Sequence, residues 1–176
     1  PAIVIFISCA KEIVHVLFSQ NFDRSILPLQ ITAPLILIVS LSSIFGFQVL
    51  SALAKDRQIL YSAIIGMSVS VVLSILLVPS LMEVGEAITI LVTELSVSVS
   101  FIYFTKKYFK VGGLTNMFLK QLAGAIPYIL FVIIFKYIID DSVIVLTSIT
   151  IISIIWFCIY HLFLLKTSYF KVYLNK

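Results

Sequence analysis

Long apolar segments dominate this sequence, and each is about as long as a lipid bilayer is thick. A helix needs about 20 mostly apolar residues to cross a hydrocarbon core of about 30 Å. Five segments meet that length and a shorter one opens the chain: residues 33–54, 59–78, 84–104, 122–139, 142–165 and 1–18. The sequence therefore predicts an all-α fold, a polytopic transmembrane helix bundle of about five full spans and one truncated span, in a single transmembrane domain over residues 1–176.

The composition is that of a chain whose surface is covered by lipid. Hydrophobic residues make up 61% of the chain and charged residues 11%, whereas a soluble domain has about 25% charged residues. Ser and Val alternate over residues 96–100 as they would in a strand, but these residues lie inside a long apolar run. Helix is predicted there as well, because the length of the run outweighs a short alternating pattern.

The chain begins at Pro1, within an apolar stretch and without an initiator Met. This stretch has no basic region before it and no small-residue cleavage site after it, so a signal peptide is not predicted. We expect the sequence to be a fragment of a longer protein.

Helix-breaking residues fall where the predicted spans begin or end. Pro34 opens the second segment, Pro79 closes the third, and the Gly112-Gly113 pair marks the longest connection. Pro127 lies within its segment and predicts a kink in that helix.

The basic residues are distributed unequally between the two sides of the predicted bundle. Alternate connections place nine of the 12 basic residues on one side, namely Lys55, Arg57, Lys106, Lys107, Lys110, Lys120, Lys166, Lys171 and Lys176. The other side holds Arg24 and Lys136 with the acidic residues Asp23, Glu83, Glu86, Asp140 and Asp141. Because Lys and Arg are enriched in cytoplasmic loops, the basic side and the C-terminus are predicted to be cytoplasmic.

Glu94 is the clearest polar feature inside a predicted span. An ionisable residue at that depth is costly and is therefore a candidate for function. Surroundings of low dielectric favour the neutral form of a carboxyl group, which suits reversible protonation during transport. The alternative is a protonated or hydrogen-bonded Glu that ties two helices together.

Lys11, Glu12 and His15 form a second candidate cluster. They fall within about 100° of arc on a helix. A cationic group facing a central cavity can hold the phosphate of a lipid-linked substrate. Alternatively, Lys11 and Glu12 neutralise each other and extend toward the outer interface.

A stripe of small residues spaced by four marks the third segment: Ser62, Gly66, Ser70 and Ser74. This spacing lets helix backbones approach closely in lipid, so a role in helix packing is predicted.

Signatures of catalysis and cofactor binding are missing. The sequence has no P-loop, no G-x-S-x-G and no H-E-x-x-H, and no connection is long enough for a catalytic domain. Cys9 and Cys158 lie in apolar runs without metal-type spacing and are interpreted as small buried residues. We expect no enzyme activity, cofactor or metal site, and no nucleic-acid partner.

Several motifs resemble the O-antigen and polysaccharide flippases, the Wzx-type members of the multidrug/oligosaccharidyl-lipid/polysaccharide exporter superfamily. The first comprises residues 29–50, LQITAPLILIVSLSSIFGFQVL, followed by the basic triplet 55–57. Residues 77–79 are similar to the family's Leu-Ile-Pro helix end, residues 85–88 to its Gly-Ala-Ala-type helix start, and Glu94 lies at the matching offset. Residues 13–19 are similar to the Leu-Phe-Gly end of the preceding family helix. The likeness covers most of residues 10–105, and the last two spans match only as hydrophobic helices.

The sequence also departs from the family pattern at a few positions. Glu86 replaces an Ala, and Met82 and Ala54 stand where Gly is common. Ser70 and Ser74 occupy positions often held by Asn. These departures concern polar contacts and turns and leave the architecture unchanged.

The resemblance implies the C-terminal part of a bacterial inner-membrane transporter with roughly 12–14 helices. Such flippases move undecaprenyl-diphosphate-linked oligosaccharide units, the repeat units of O-antigen or capsule, from the cytoplasmic to the periplasmic leaflet. The implied partners are the lipid-linked oligosaccharide, membrane lipids and other membrane proteins of polysaccharide assembly.

Three alternatives to a flippase stay open on the sequence. A drug/cation antiporter of the same superfamily has the same architecture. A fragment of a membrane-embedded glycan polymerase or ligase would need a large outer loop, and the outward connections here are short. A structural membrane subunit would need neither Glu94 nor Lys11.

Overall fold

The computed structural model describes residues 2–18, 20–108, 124, 128–130, 132–134 and 142–174. The α-helices in this part of the chain are α1 (Ala2–Ser8), α2 (Ala10–Leu17), α3 (Ile26–Thr32), α4 (Leu35–Ser42), α5 (Asp56–Thr105) and α6 (Ser142–Leu174). A 3-10 helix, Gln20–Ser25, precedes α3, and a π-helix, Ser43–Leu50, continues α4. No strand occurs among the described residues, and the prediction of an all-helical fold is confirmed for them.

The longest helix, α5, is interrupted at Met82. The backbone there has φ 49° and ψ −122°, which is outside helical geometry. A residue with a side chain rarely adopts a positive φ, so the chain changes direction at this point at a cost in strain. Met82 divides α5 into a first arm, residues 56–81, and a second arm, residues 83–105.

The two arms of α5 pack against each other as an antiparallel hairpin. Gly66, in the middle of the first arm, faces Val97 in the second arm. Gln58, near the start of the first arm, donates a hydrogen bond to the hydroxyl of Tyr108, which follows the end of the second. Residues far apart in sequence therefore meet along the whole length of the pair.

Small residues allow the arms to approach closely. Ser62 and Gly66 are buried, and Ser70 and Ser74 are half-buried. A Cβ on Gly66 would overlap Cγ2 of Val97 and lie 3.8 Å from Cγ2 of Thr93. The structure thus places Gly66, a member of the predicted packing stripe, at the contact between the arms.

The α4 helix and the π-helix that continues it pack on the second arm. A Cβ on Gly46 would lie 2.6 Å from Cε2 of Phe101, so the aromatic ring rests on the helix backbone. Thr105 donates from Oγ1 to the carbonyl oxygen of Phe45 over 3.3 Å. Phe45, Phe101 and Leu50 form the buried core at this contact.

The N-terminal helices pack against α6. A break at Cys9 separates α1 from α2, and the Gln30 side-chain amide donates 2.9 Å to the carbonyl oxygen of Ile7 beside that break. Together with Tyr128, Val132, Val145 and Ile149, Cys9 forms a second buried core.

Two described helices are long and apolar enough to cross a membrane, α5 and the Val143–Tyr160 part of α6. A third span results if Asn21–Thr32 and Leu35–Leu50, which are bent by 42°, cross together. Counted helix by helix, the described residues give two to three candidate spans instead of the predicted five and a truncated one, and this count takes both arms of α5 as one helix.

The difference in span number has physical causes. The predicted segments 59–78 and 84–104 both belong to α5. They are its two arms, which are joined at Met82 without an intervening loop. The predicted segment 1–18 is divided into two short helices at Cys9. The predicted segment 122–139 lies mostly outside the described residues, as do the Gly112-Gly113 pair and Pro127.

The outer surface of α5 is apolar. Only 6% of its most hydrophobic 18-residue window is buried inside the protein. Large side chains such as Leu60, Met67, Val72 and Ile75 are more than half exposed. A soluble protein rarely leaves a continuous apolar surface of this extent in water, so lipid covers it.

Candidate functional site

A cavity of about 330 Å³ lies where α2 and α3 meet the start of the second arm of α5. Its lining comprises Val14, Phe18, Ser25, Pro28, Leu29, Thr32, Glu83, Glu86, Ala87 and Ile90. The wall is almost wholly apolar and open to the outside, and Glu83 and Glu86, both exposed, border it.

The carboxylates come from the first turn of the second arm. Glu83 and Glu86 are three residues apart and both follow the reversal at Met82. Residues at this spacing lie on one helix face, so both residues border the same cavity. The N-terminal end of a helix stabilises negative charge, which favours carboxylates at this position.

A hydrogen bond fixes the opposite side of the cavity. His15 Nε2 and Asp23 Oδ1 are 2.6 Å apart and join α2 to the 3-10 helix. The rings of Phe18 and Phe22 lie 5.8 Å apart in the same turn. The Thr32 hydroxyl donates 2.9 Å to the carbonyl oxygen of Pro28, so its proton is engaged within α3.

Charge is segregated between the two ends of the hairpin. The basic end consists of Lys55, Arg57, Lys106 and Lys107, which flank the outer termini of the two arms. The acidic end consists of Asp23, Glu83 and Glu86, around the reversal and the cavity. The sequence grouped these residues on two opposite sides, and the structure places them at opposite ends of one hairpin.

Glu94 lies half-buried in the middle of the second arm and does not line the cavity. Two hydroxyls near it donate to their own helix: Thr89 to the Gly85 carbonyl over 2.8 Å, and Ser96 to the Thr93 carbonyl over 2.7 Å. The buried hydroxyl of Thr93, next to Glu94, has no hydrogen-bond partner among the described residues. Within the described residues, no hydrogen bond or ion pair to the Glu94 carboxyl is formed.

The other predicted candidates lie along α2. Lys11 is exposed, and Glu12 and His15 are half-buried. His15 contacts Asp23, a partner that the sequence analysis did not assign to it. None of these three residues lines the cavity, and neither does Glu94, so the cavity does not connect them.

Sequence reasoning missed Glu83 and Glu86 as cavity residues. Both were grouped with the charges of an outward connection. The signal that identifies them is their spacing of three, directly after a helix break at Pro79 to Met82. In addition, Glu86 is one of the positions at which the sequence departs from the flippase pattern.

The cavity suits an apolar ligand or the apolar part of one, and the exposed carboxylates of Glu83 and Glu86 stand at its border. Carboxylates attract cations and accept hydrogen bonds, and the apolar wall contacts rings or hydrocarbon. No Lys or Arg is among its described lining residues. The described part of the chain contains no group of three or more His, Cys, Asp or Glu side chains able to hold a metal ion.

Comparisons with family models, with curated proteins and with solved structures gave no match to this chain.

Proposed function

We propose that this chain is the C-terminal part of a membrane transporter that flips lipid-linked oligosaccharide across the bacterial inner membrane. The proposal comes from the resemblance of residues 10–105 to the Wzx-type flippases. Its main structural support comes from two backbone positions. The flippase pattern commonly has Gly where this chain has Ala54 and Met82, and these are the two non-glycine residues with positive φ in the described chain.

Ala54 illustrates why this agreement is informative. The Lys55 N–H donates to the Leu50 carbonyl over 2.9 Å, and the Ala54 N–H donates to the Ser51 carbonyl over 3.0 Å. These two bonds, with φ 53° at Ala54, form the helix-ending arrangement in which Gly is the preferred residue. A family pattern with Gly at this position therefore describes a turn that this chain also makes.

The hairpin supplies two spans under this proposal. Arms of 26 and 23 residues are about 39 Å and about 35 Å long, which is enough to cross a bilayer. The basic end then faces the cytoplasm and the acidic end the periplasm. Undecaprenyl-diphosphate-linked oligosaccharide is the proposed cargo, and other membrane proteins of polysaccharide assembly are the proposed partners.

Complementation tests this function. Expression of the gene that encodes this chain in a flippase-null strain is expected to restore surface polysaccharide, measured by gel profile and by antibody against the glycan. A complete gene product that reaches the membrane at normal levels and restores no polysaccharide in strains with several different repeat units would contradict the flippase assignment.

A drug/cation antiporter is the second candidate, and the cavity favours it. Two exposed glutamates and no described basic residue border an almost wholly apolar space, and an amphipathic cation matches these surroundings better than a diphosphate does. Under this alternative, the same expression strain would gain efflux of lipophilic cations such as ethidium, and Glu83→Gln together with Glu86→Gln would abolish the gain.

The orientation of the hairpin is open to direct labelling. In a background carrying Cys158→Ser, we expect Lys107→Cys to resist a membrane-impermeant thiol reagent in intact cells, because the basic end is cytoplasmic. Glu83→Cys, at the opposite end of the same hairpin, serves as the matched control and is expected to react. Labelling at Lys107→Cys with none at Glu83→Cys would reverse the proposed orientation.

A further inference from the structure

The basic end of the hairpin has a defined side-chain arrangement. The ammonium of Lys55 lies 5.5 Å from the centroid of the Tyr108 ring, and that of Lys106 lies 4.2 Å from the Tyr103 ring. Cations over aromatic faces are attracted by the ring electrons. Each of the two lysines therefore has an aromatic contact beside an end of the hairpin.

Lys55 is also fixed through its backbone. Its N–H closes the preceding helix at Leu50, and its carbonyl accepts from the Gln58 N–H over 2.9 Å at the start of the first arm. The side chain is half-buried. Two helix ends thus position the Lys55 ammonium next to Tyr108.

The Tyr108 hydroxyl lies at the centre of this group. It accepts a hydrogen bond from Nε2 of Gln58 over 3.5 Å, which leaves its own proton available to a further acceptor. The Gln58 hydrogen bond and the charges of Lys55 and Lys107 lower the pKa of Tyr108, against the opposing effect of burial. The charges of both lysines therefore act at this hydroxyl.

The positive charge at this end is not neutralised by the described residues. Within the described residues, no ion pair joins Lys55, Arg57, Lys106 or Lys107 to a carboxylate. One acidic residue, Asp56, lies in sequence between Lys55 and Arg57. The basic end therefore has more cationic than anionic side chains.

We propose that the basic end binds the phosphodiester of an anionic phospholipid, with Lys55 and Lys107 as its charge partners and the Tyr108 hydroxyl as a hydrogen-bond donor. A lipid is the source of the phosphate because the group lies at the ends of two span-length apolar arms, beside the exposed ring of Tyr103, at the depth of a membrane interface. This inference rests on the proposed spanning hairpin and adds a binding site to it.

Retention of lipid by the purified protein tests the site. The full chain in non-ionic detergent is mixed with phosphatidylglycerol, phosphatidylcholine or inorganic phosphate. Bound lipid is measured by native mass spectrometry, and the thermal midpoint is recorded in parallel. We expect the chain to retain phosphatidylglycerol over phosphatidylcholine, and we expect millimolar inorganic phosphate not to displace it.

Variants identify the groups that bind. The Lys55→Gln and Lys107→Gln pair is expected to weaken phosphatidylglycerol binding by about fivefold for each lysine removed. Tyr108→Phe keeps the ring under Lys55 and is expected to produce a smaller loss, which keeps the test decisive if the double variant folds poorly. Arg24→Gln, an exposed basic residue near the acidic end, is the matched control and should leave binding unchanged.

Three results would overturn the proposal: no preference for phosphatidylglycerol, an equal loss in Arg24→Gln, or full displacement by inorganic phosphate, which would indicate a soluble anion as the ligand. The measurement needs no transport. A chain that retains the lipid but fails to complement a flippase-null strain would contradict the transport proposal alone, and a chain that complements without retaining lipid would contradict this one alone.

Discussion

Replacement of Gly85 by alanine is expected to open the α5 hairpin and to cost about 3 kcal/mol of stability. A Cβ at this position would overlap the carbonyl oxygen of Leu77 and lie 2.7 Å from its carbon and 3.1 Å from the Val78 nitrogen. These are backbone atoms, which cannot rotate away as a side chain can. The first turn of the second arm must then move off the end of the first arm. Thermal unfolding of the purified protein in detergent measures the loss.

Two neighbouring variants control for this effect. Glu86→Ala changes the adjacent exposed residue without adding an atom at the contact, and we expect its midpoint to stay close to that of the parent protein. Gly66→Ala adds a Cβ that meets the Val97 side chain. Its thermal midpoint should fall between those of Gly85→Ala and Glu86→Ala, because the Val97 side chain can adjust. Equal midpoints for Gly85→Ala and Glu86→Ala would show that the arms are not in contact at Gly85.

Replacement of Glu94 by glutamine is expected to abolish transport while leaving insertion intact. An ionised acidic side chain in the middle of a span costs about 2.5–3.5 kcal/mol on insertion scales. In the described structure Glu94 is half-buried, and the nearby hydroxyls of Thr89 and Ser96 donate to their own helix. If the carboxyl group takes up and releases a proton during transport, removal of its acidic function blocks the cycle.

The Glu94 test is surface polysaccharide in a complemented flippase-null strain, with membrane levels of each variant measured on the same cells. We expect at least a tenfold loss for Glu94→Gln. Glu94→Asp, which keeps an acidic group, should retain part of the activity. Normal polysaccharide with Glu94→Gln would leave Glu94 as a packing residue and remove protonation at this position from the mechanism.

The helical character of the chain could be predicted because it depends on local sequence. Residues 96–100, which alternate Ser and Val, are helical, and hydrogen bonds such as Ser100 to the Ser96 carbonyl satisfy their hydroxyls within the helix. Pro79 lies inside α5, three residues before the reversal. A proline blocks one backbone hydrogen bond and favours a bend nearby, but it does not fix the residue at which the chain turns.

The bends and the cavity could not be read from the sequence, because they depend on contacts between distant residues. The break at Cys9 lies beside the Gln30 amide, 23 positions from the carbonyl of Ile7 that it contacts. Glu83 and Glu86 become cavity residues only through the approach of α2 and α3 to the second arm. Hydrophobic periodicity indicates which faces are apolar and leaves open which helices meet.

The reversal at Met82 also bears on how the chain enters a bilayer during synthesis. In the proposed orientation both ends of the hairpin stay on the side of the ribosome, so only the turn has to be carried through the hydrocarbon. Residues 58–105 contain no Lys or Arg, so no permanently cationic side chain has to be translocated. The charges at the turn are Glu83 and Glu86, and acidic residues contribute little to retention of a loop. The pair can therefore insert as one preformed unit whose backbone hydrogen bonds are already made, with the lysines and the arginine at its base acting as the stop that ends the movement.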